Sequence, residues 1–175
     1  MCRYAMVAYK PHYICFECRK TFKRRLFIDI RKGNETPHAK CPQCGELMAE
    51  VGKDFKAPAK NAIKEWQHVK QLYIVGIRFF SCGCSGPGYI PADKEALIKY
   101  FQDIIEQYNK ELDFWRNRIE PITQAQKSRE QSLYGKYINK VPTERGKKQV
   151  VTNLQAIDYW LKKIQEVEKQ IRMIK

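Results

Sequence analysis

Histidine is scarce in this sequence: three residues, His12, His38 and His68, stand far apart along 175 positions. No paired carboxylates occur in a setting that argues for general acid–base work, and the chain is expected not to be an enzyme. Phosphate-cradling loops are missing as well, since neither GxxxxGK[ST] nor GxGxxG occurs. Gly83, Gly86 and Gly88 do precede a helical pattern. That helix opens with Asp93 and Glu95, which satisfy its positive end and repel a phosphate there. No run approaches the ~18 apolar residues that span a bilayer, and the first residues lack the apolar core of a secretion signal. There is no internal repeat and no low-complexity tract. These absences predict a soluble, cytoplasmic protein with no membrane partner and no small-molecule substrate. Acidic residues are also few: 19 Asp and Glu face 33 Lys and Arg, for a formal charge of +14. A field of that sign attracts polyanions. Hydrophobic residues at 43% and aromatics at 12% suffice for a folded core, which excludes wholesale disorder.

The seven cysteines are odd in number and come mostly as close pairs, a pattern of metal ligation in a reducing compartment rather than of a disulfide framework. Cys15-Phe16-Glu17-Cys18 and Cys41-Pro42-Gln43-Cys44-Gly45 are CxxC pairs separated by 22 residues. Two residues between cysteines let both sulfurs of a tight turn reach one ion, and two such turns close a tetrahedral Cys₄ site with Zn–S near ~2.3 Å. Four thiolates and no sign of redox use favour one Zn²⁺ over iron. With no open position the ion cannot activate water, so its expected role is to staple a small hairpin. Gly45 can take the positive φ that turns backbone N–H groups toward the sulfurs. Cys82-Gly83-Cys84 is open between three readings: a second metal site with Cys2 and a histidine, a reactive thiol, or two small buried cysteines, the last being the expectation.

The Cys-Pro-Gln-Cys-Gly run resembles the CPxCG knuckle of zinc ribbons and rubredoxins. The resemblance covers about residues 13–50, and the first knuckle departs from it by carrying Arg19 where a glycine often sits. Over its whole length the chain resembles small bacterial zinc-ribbon proteins, which brings no function for the helical half. Zinc ribbons with basic arms recur among ribosomal proteins, translation factors and transcription machinery. The resemblance therefore implies RNA, with ribosomal RNA and ribosomal proteins as the partners to expect.

The expected fold class is α+β: a small β zinc ribbon followed by a helical C-terminal half. Residues 1–90 form the basic ribbon domain with one helix, and 91–175 a helical hairpin with a polar connection at about 122–150. Within the first part, Thr21 to Arg31 alternates as a strand, Ile63, Trp66, Val69 and Tyr73 mark a helix, and Ile77 to Phe80 reads as a further strand. In the second part, Leu97, Phe101, Ile104, Tyr108, Leu112, Trp115 and Ile119 recur at helical spacing, with Pro121 as a stop. Thr152 and Gln155 fit a capping box ahead of a second stripe, Leu154, Ile157, Leu161, Ile164, Val167, Ile171 and Ile174. The simplest packing for two such helices is an antiparallel pair.

Charge is concentrated near the first knuckle. Arg19, Lys20, Lys23, Arg24, Arg25, Arg31 and Lys32 put seven cations into fourteen residues, with Phe22 and Phe27 among them. Such side chains neutralise phosphates, and exposed aromatics stack on unpaired bases. These seven are the candidate nucleic-acid contacts. Lys136, Lys140, Arg145, Lys147 and Lys148 could form a second contact. The expected function is an RNA-binding, ribosome- or translation-associated protein. The alternatives are a protein–protein adaptor using the helical stripes and a rubredoxin-like electron carrier, which requires iron.

Overall fold

A computed structural model describes residues 10–24, 39–81, 86–143 and 151–174. It is of the α+β class: a three-stranded antiparallel sheet and four helices among the described residues. The chain divides into two compact units, Met1–Leu97 and Ile98–Met173.

In the first unit, β1 (His12–Cys15) is the central strand, between β2 (Lys20–Lys23) and β3 (Ala49–Gly52). A tight turn after Cys15 joins β1 to β2, so that Cys15 faces Lys20 and Tyr13 faces Phe22. On the other side Tyr13 pairs with Glu50 and Ile14 with Ala49, with one register slip at His12. The Tyr13 hydroxyl donates to Glu50 at 3.0 Å. Helix α1 (Ile63–Ile74) buries Trp66, Val69 and Leu72 at three-residue steps. Trp66 and Val69 meet Ile14, Ala49 and Val51 of the sheet, with Phe55 completing this small core. The N-cap, Ala62, has no capping side chain; instead the Trp66 indole N–H donates to Ala59 O at 3.0 Å and pins the helix entry.

The helix stops at Gly76, whose φ is 88°. Gly76 N–H bonds Tyr73 O and Ile77 N–H bonds Leu72 O, the paired closure that requires a left-handed residue and so favours glycine. Residues 77–80, expected as a strand, are not one. They run beside β3 and exchange two bonds with it and the turn after it, Phe79 N–H to Val51 O and Asp54 N–H to Phe79 O. Two bonds hold the segment in place without making a ladder. The expected strand from Thr21 begins at Lys20, and its continuation through residues 25–31 lies outside the described residues.

In the second unit, α2 (Lys94–Asn117) follows the first expected stripe, with Phe101, Leu112 and Trp115 buried. Ile119, counted in that stripe, lies past the helix end and is 91% exposed. The polar connection holds a third helix, α3 (Gln124–Ile138), opened by a capping box between Thr123 and Gln126. Helix α4 (Asn153–Ile174) carries the expected Thr152–Gln155 exchange at its start. Its buried face is centred on Ala156, Trp160 and Val167, with Ile157 and Ile164 beside them, while Leu154 is 80% exposed. The aliphatic count placed that face slightly off because it left out Trp160, the largest side chain on it. Leu112 and Trp115 meet Ala156 and Trp160, with Val141 and Val151 closing the cluster.

Helix α3 has no fully buried residue. It is fastened by Phe114 of α2, which stacks on Tyr137 (4.3 Å between centroids, 13° between planes), and by an ion pair. Arg118 Nε and Nη2 donate to the two carboxylate oxygens of Glu130 at 2.6 and 2.7 Å. The remaining Arg118 donors reach Asn153 Oδ1 and Val151 O. Among the described residues no helix is long and apolar enough to cross a membrane.

Candidate metal centre

Both knuckles are built by local hydrogen bonding at one end of the sheet. In the first, Cys15 ends β1, and the Cys18 amide points back at the Cys15 sulfur at 3.4 Å. In the second, Cys41 N–H bonds Glu46 O, Gly45 N–H bonds Cys41 O, and Met48 N–H bonds Ala39 O, closing a narrow hairpin. The Gln43 amide points at the Cys41 sulfur at 3.4 Å. Each knuckle has a left-handed residue right after its second cysteine: Gly45 at φ 80° and Arg19 at φ 50°. Arg19 thus takes up the glycine position of the expected pattern and adopts its backbone, at a conformational cost of about 1–2 kcal/mol for a residue with a Cβ.

These turns bring Cys15, Cys18, Cys41 and Cys44 together, all four sulfurs lying within 4.8 Å of one another. Cys15 and Cys44 are 3.5 Å apart and Cys18 and Cys41 3.9 Å, each a contact across the two knuckles. Cys15 and Cys41 are buried, Cys18 half-buried and Cys44 exposed. The cluster could hold one metal ion, and a set of four thiols is compatible with zinc.

The electrostatics explain why such a cluster calls for a cation. Burial raises the Cys15 thiol above its ordinary value. The Cys44 sulfur, followed by burial, pushes Cys18 up to about 12. For Cys41 burial acts in the same upward direction, but the amides of Cys44 and Gln43 outweigh it and bring the thiol down to about 7. Close sulfurs cannot all carry charge without a counter-ion, so without one the protons stay on most of them. A divalent ion displaces those protons, and loading therefore weakens as pH falls.

The structure places part of the expected nucleic-acid set beside this cluster. Lys20, Lys23 and Arg24 are exposed along β2 and just past it, and Arg19 is half-buried with its Nε enclosed and without a partner. Phe22 is half-buried on the same strand. Arg25, Arg31 and Lys32, as well as Phe27, lie outside the described residues, as do Cys2, Cys82 and Cys84. Of the second basic group, Lys136 is exposed and Lys140 pairs with the buried Glu111, so Lys140 serves the fold. Arg145, Lys147 and Lys148 lie outside the described residues.

Comparison with family models, curated proteins and solved structures gave no match. The chemistry of the site therefore rests on the four sulfurs and their surroundings. Reasoning from the sequence gave no site role to Lys70 and Tyr73, which meet Phe16 of the first knuckle, or to Arg78, which stacks on Tyr73. The available signal was the i, i+3 spacing of Lys70 and Tyr73 on the helix that backs the sheet.

Proposed function

We propose that the first unit is a zinc ribbon with one structural Zn²⁺ on Cys15, Cys18, Cys41 and Cys44, and that it binds RNA in a cytoplasmic, ribosome- or translation-associated setting. It acts as a binding protein and not as an enzyme. The observation that carries the reading is the position of Lys20, Lys23 and Arg24: they are exposed and directly follow the first knuckle. An ion on that knuckle fixes the turn from which β2 departs, and so fixes where the cations point. Zinc is preferred over iron because four thiolates fill every position and the role is structural. RNA is preferred over DNA because of the resemblance to ribosomal and translation-factor ribbons, and because no helix-turn-helix pattern is present.

The second unit is read as an antiparallel helix pair with α3 laid against it. Arg118, just past the end of α2, bonds Asn153 at the start of α4. Tyr108, earlier in α2, packs on Trp160, later in α4.

The test is a titration of the zinc-loaded chain with single-stranded RNA over a salt series. Log K is expected to fall linearly with log salt. Replacing Lys20, Lys23 and Arg24 together with Ala is expected to flatten the slope by about 2, since each phosphate contact on a single strand contributes about 0.7. Affinity that ignores both salt and the triple substitution would end the RNA reading. A second reading, a protein adaptor, is favoured by Ile119 and Ile122, 91% and 87% exposed in one short connection. It predicts instead a complex that tolerates salt and survives nuclease.

A further inference from the structure

Tyr73 sits in the last turn of α1, and the chain folds back at Gly76 so that Arg78 lies over it. The Arg78 guanidinium carbon is 3.6 Å from the Tyr73 ring centroid. That is direct stacking on the aromatic face. Arg78 Nη1 donates to Tyr73 O at 2.7 Å and to Ile77 O at 3.1 Å. The neighbouring backbone is tied on both sides, by Ile77 N–H to Leu72 O and by Phe79 N–H to Val51 O. One nitrogen and one face of the guanidinium are thereby committed to the fold. Nε and Nη2 have no partner among the described residues, and neither is enclosed.

That remaining edge is the one with two parallel N–H groups, the fork that grips a phosphate through two hydrogen bonds. An arginine that only capped a helix would need its charge near the last carbonyls and nothing more. Here its plane is also held by a ring, so the fork is oriented before any ligand arrives. The surroundings extend the same chemistry. Phe16, in the first knuckle, meets Tyr73 edge to face at 5.8 Å, and Lys70 lies 5.9 Å from the centre of the Phe16 ring. Lys70 is exposed, while Phe16, Tyr73 and Arg78 are half-buried. Two adjoining rings flanked by two cations thus lie beside the Cys15–Cys18 turn, the combination of groups that binds single strands through phosphates and bases.

We infer that Arg78, oriented on Tyr73, is a phosphate-gripping residue for single-stranded RNA, with Lys70 as its companion cation and Phe16 and Tyr73 as the apolar wall. This deepens the RNA reading above and rests on it, since the anion is taken to be a backbone phosphate of that RNA.

The test uses the full zinc-loaded chain and a labelled dodecamer of uridine in a salt series. Arg78→Ala is expected to lower affinity roughly 10- to 100-fold, the range for a charge-assisted hydrogen-bonded pair. It should also make the salt slope shallower by about 0.7. Arg78→Lys is expected to keep the slope, because the charge stays, and to lose affinity several-fold, because the fork is gone. If Arg78 is a helix cap and nothing else, both variants lower the melting temperature and leave RNA affinity and slope as they were, which overturns the proposal. Should Arg78→Ala lose its zinc or its fold, Arg78→Lys alone decides: unchanged affinity overturns the inference. RNA binding that depends on Lys20, Lys23 and Arg24 but not on Arg78 removes this site and leaves the RNA reading standing. No salt-dependent affinity for the dodecamer in the unaltered chain removes both.

Discussion

Stripping the metal with a strong chelator, or replacing Cys41 with Ser, is expected to collapse the sheet. The knuckle end of the first unit has almost nothing else to hold it. Residues 42–47 are all exposed, and only Ala39 and Cys41 are buried in the second hairpin below Ala49. The core behind the sheet consists of Ile14, Ala49, Val51, Phe55, Trp66 and Val69, each contributing at most about 1.5–3 kcal/mol. Backbone ordering costs about 1–2 kcal/mol per residue, so ordering the strands and both hairpins costs more than this small core returns. A structural zinc site contributes about 10–16 kcal/mol at neutral pH. Two-dimensional amide spectra should show residues 12–24 and 39–52 losing dispersion on chelation and regaining it with one equivalent of zinc. Because each thiol sheds its proton on binding, the chelator concentration needed should fall as pH is lowered from 7 toward 5. A sheet that keeps its dispersion without metal would show that the apolar core suffices.

The second large effect lies at Arg118 and Glu130. The Arg118 side chain is 3% exposed and its carboxylate partner 13%. Arg118 uses Nε, Nη1 and Nη2 on Glu130, Asn153 and Val151, and its guanidinium carbon lies 4.9 Å from the centre of the Trp115 ring. Glu130→Ala therefore leaves a desolvated cation without its counter-charge, and unfolding free energy is expected to drop by about 3–5 kcal/mol. The pair itself need not be worth so much. Replacing both members together, Arg118→Met with Glu130→Leu, is expected to recover most of the loss, because an apolar pair has no charge to desolvate. Urea midpoints for Glu130→Ala and the double variant measure this directly. Equal losses in Glu130→Ala and the double variant would show that the unpaired buried charge is not the source of the loss.

The two knuckles were legible in the sequence because their geometry is local: a CxxC spacing and the residue after it determine where two sulfurs go. The same locality made α1, α2 and α4 readable from periodicity, and the Thr152–Gln155 cap from four residues. What was not legible is tertiary. Helix α3 opens on a polar stretch, Gln124 to Gln131, with no apolar stripe, so the sequence reads there as a polar connection. It is fastened through Glu130 and Tyr137, whose partners Arg118 and Phe114 lie more than ten residues earlier. Residues 77–80 are apolar enough to read as a strand, but the tight closure at Gly76 sets them beside β3 with two backbone bonds to it and its turn among the described residues. That same closure lays Arg78 on Tyr73, a contact no spacing rule announces. Ile119 and Leu154 kept their place in a helical count and lost it in space, one past a helix end and the other rotated off a face that Trp160 defines.

X-ray absorption at the metal edge, together with metal analysis of the purified chain, tests the central claim most directly. The account predicts one zinc per chain with four sulfur neighbours near ~2.3 Å and no nitrogen or oxygen in the first coordination sphere. Iron in place of zinc, fewer than four sulfurs, or no bound metal would contradict it.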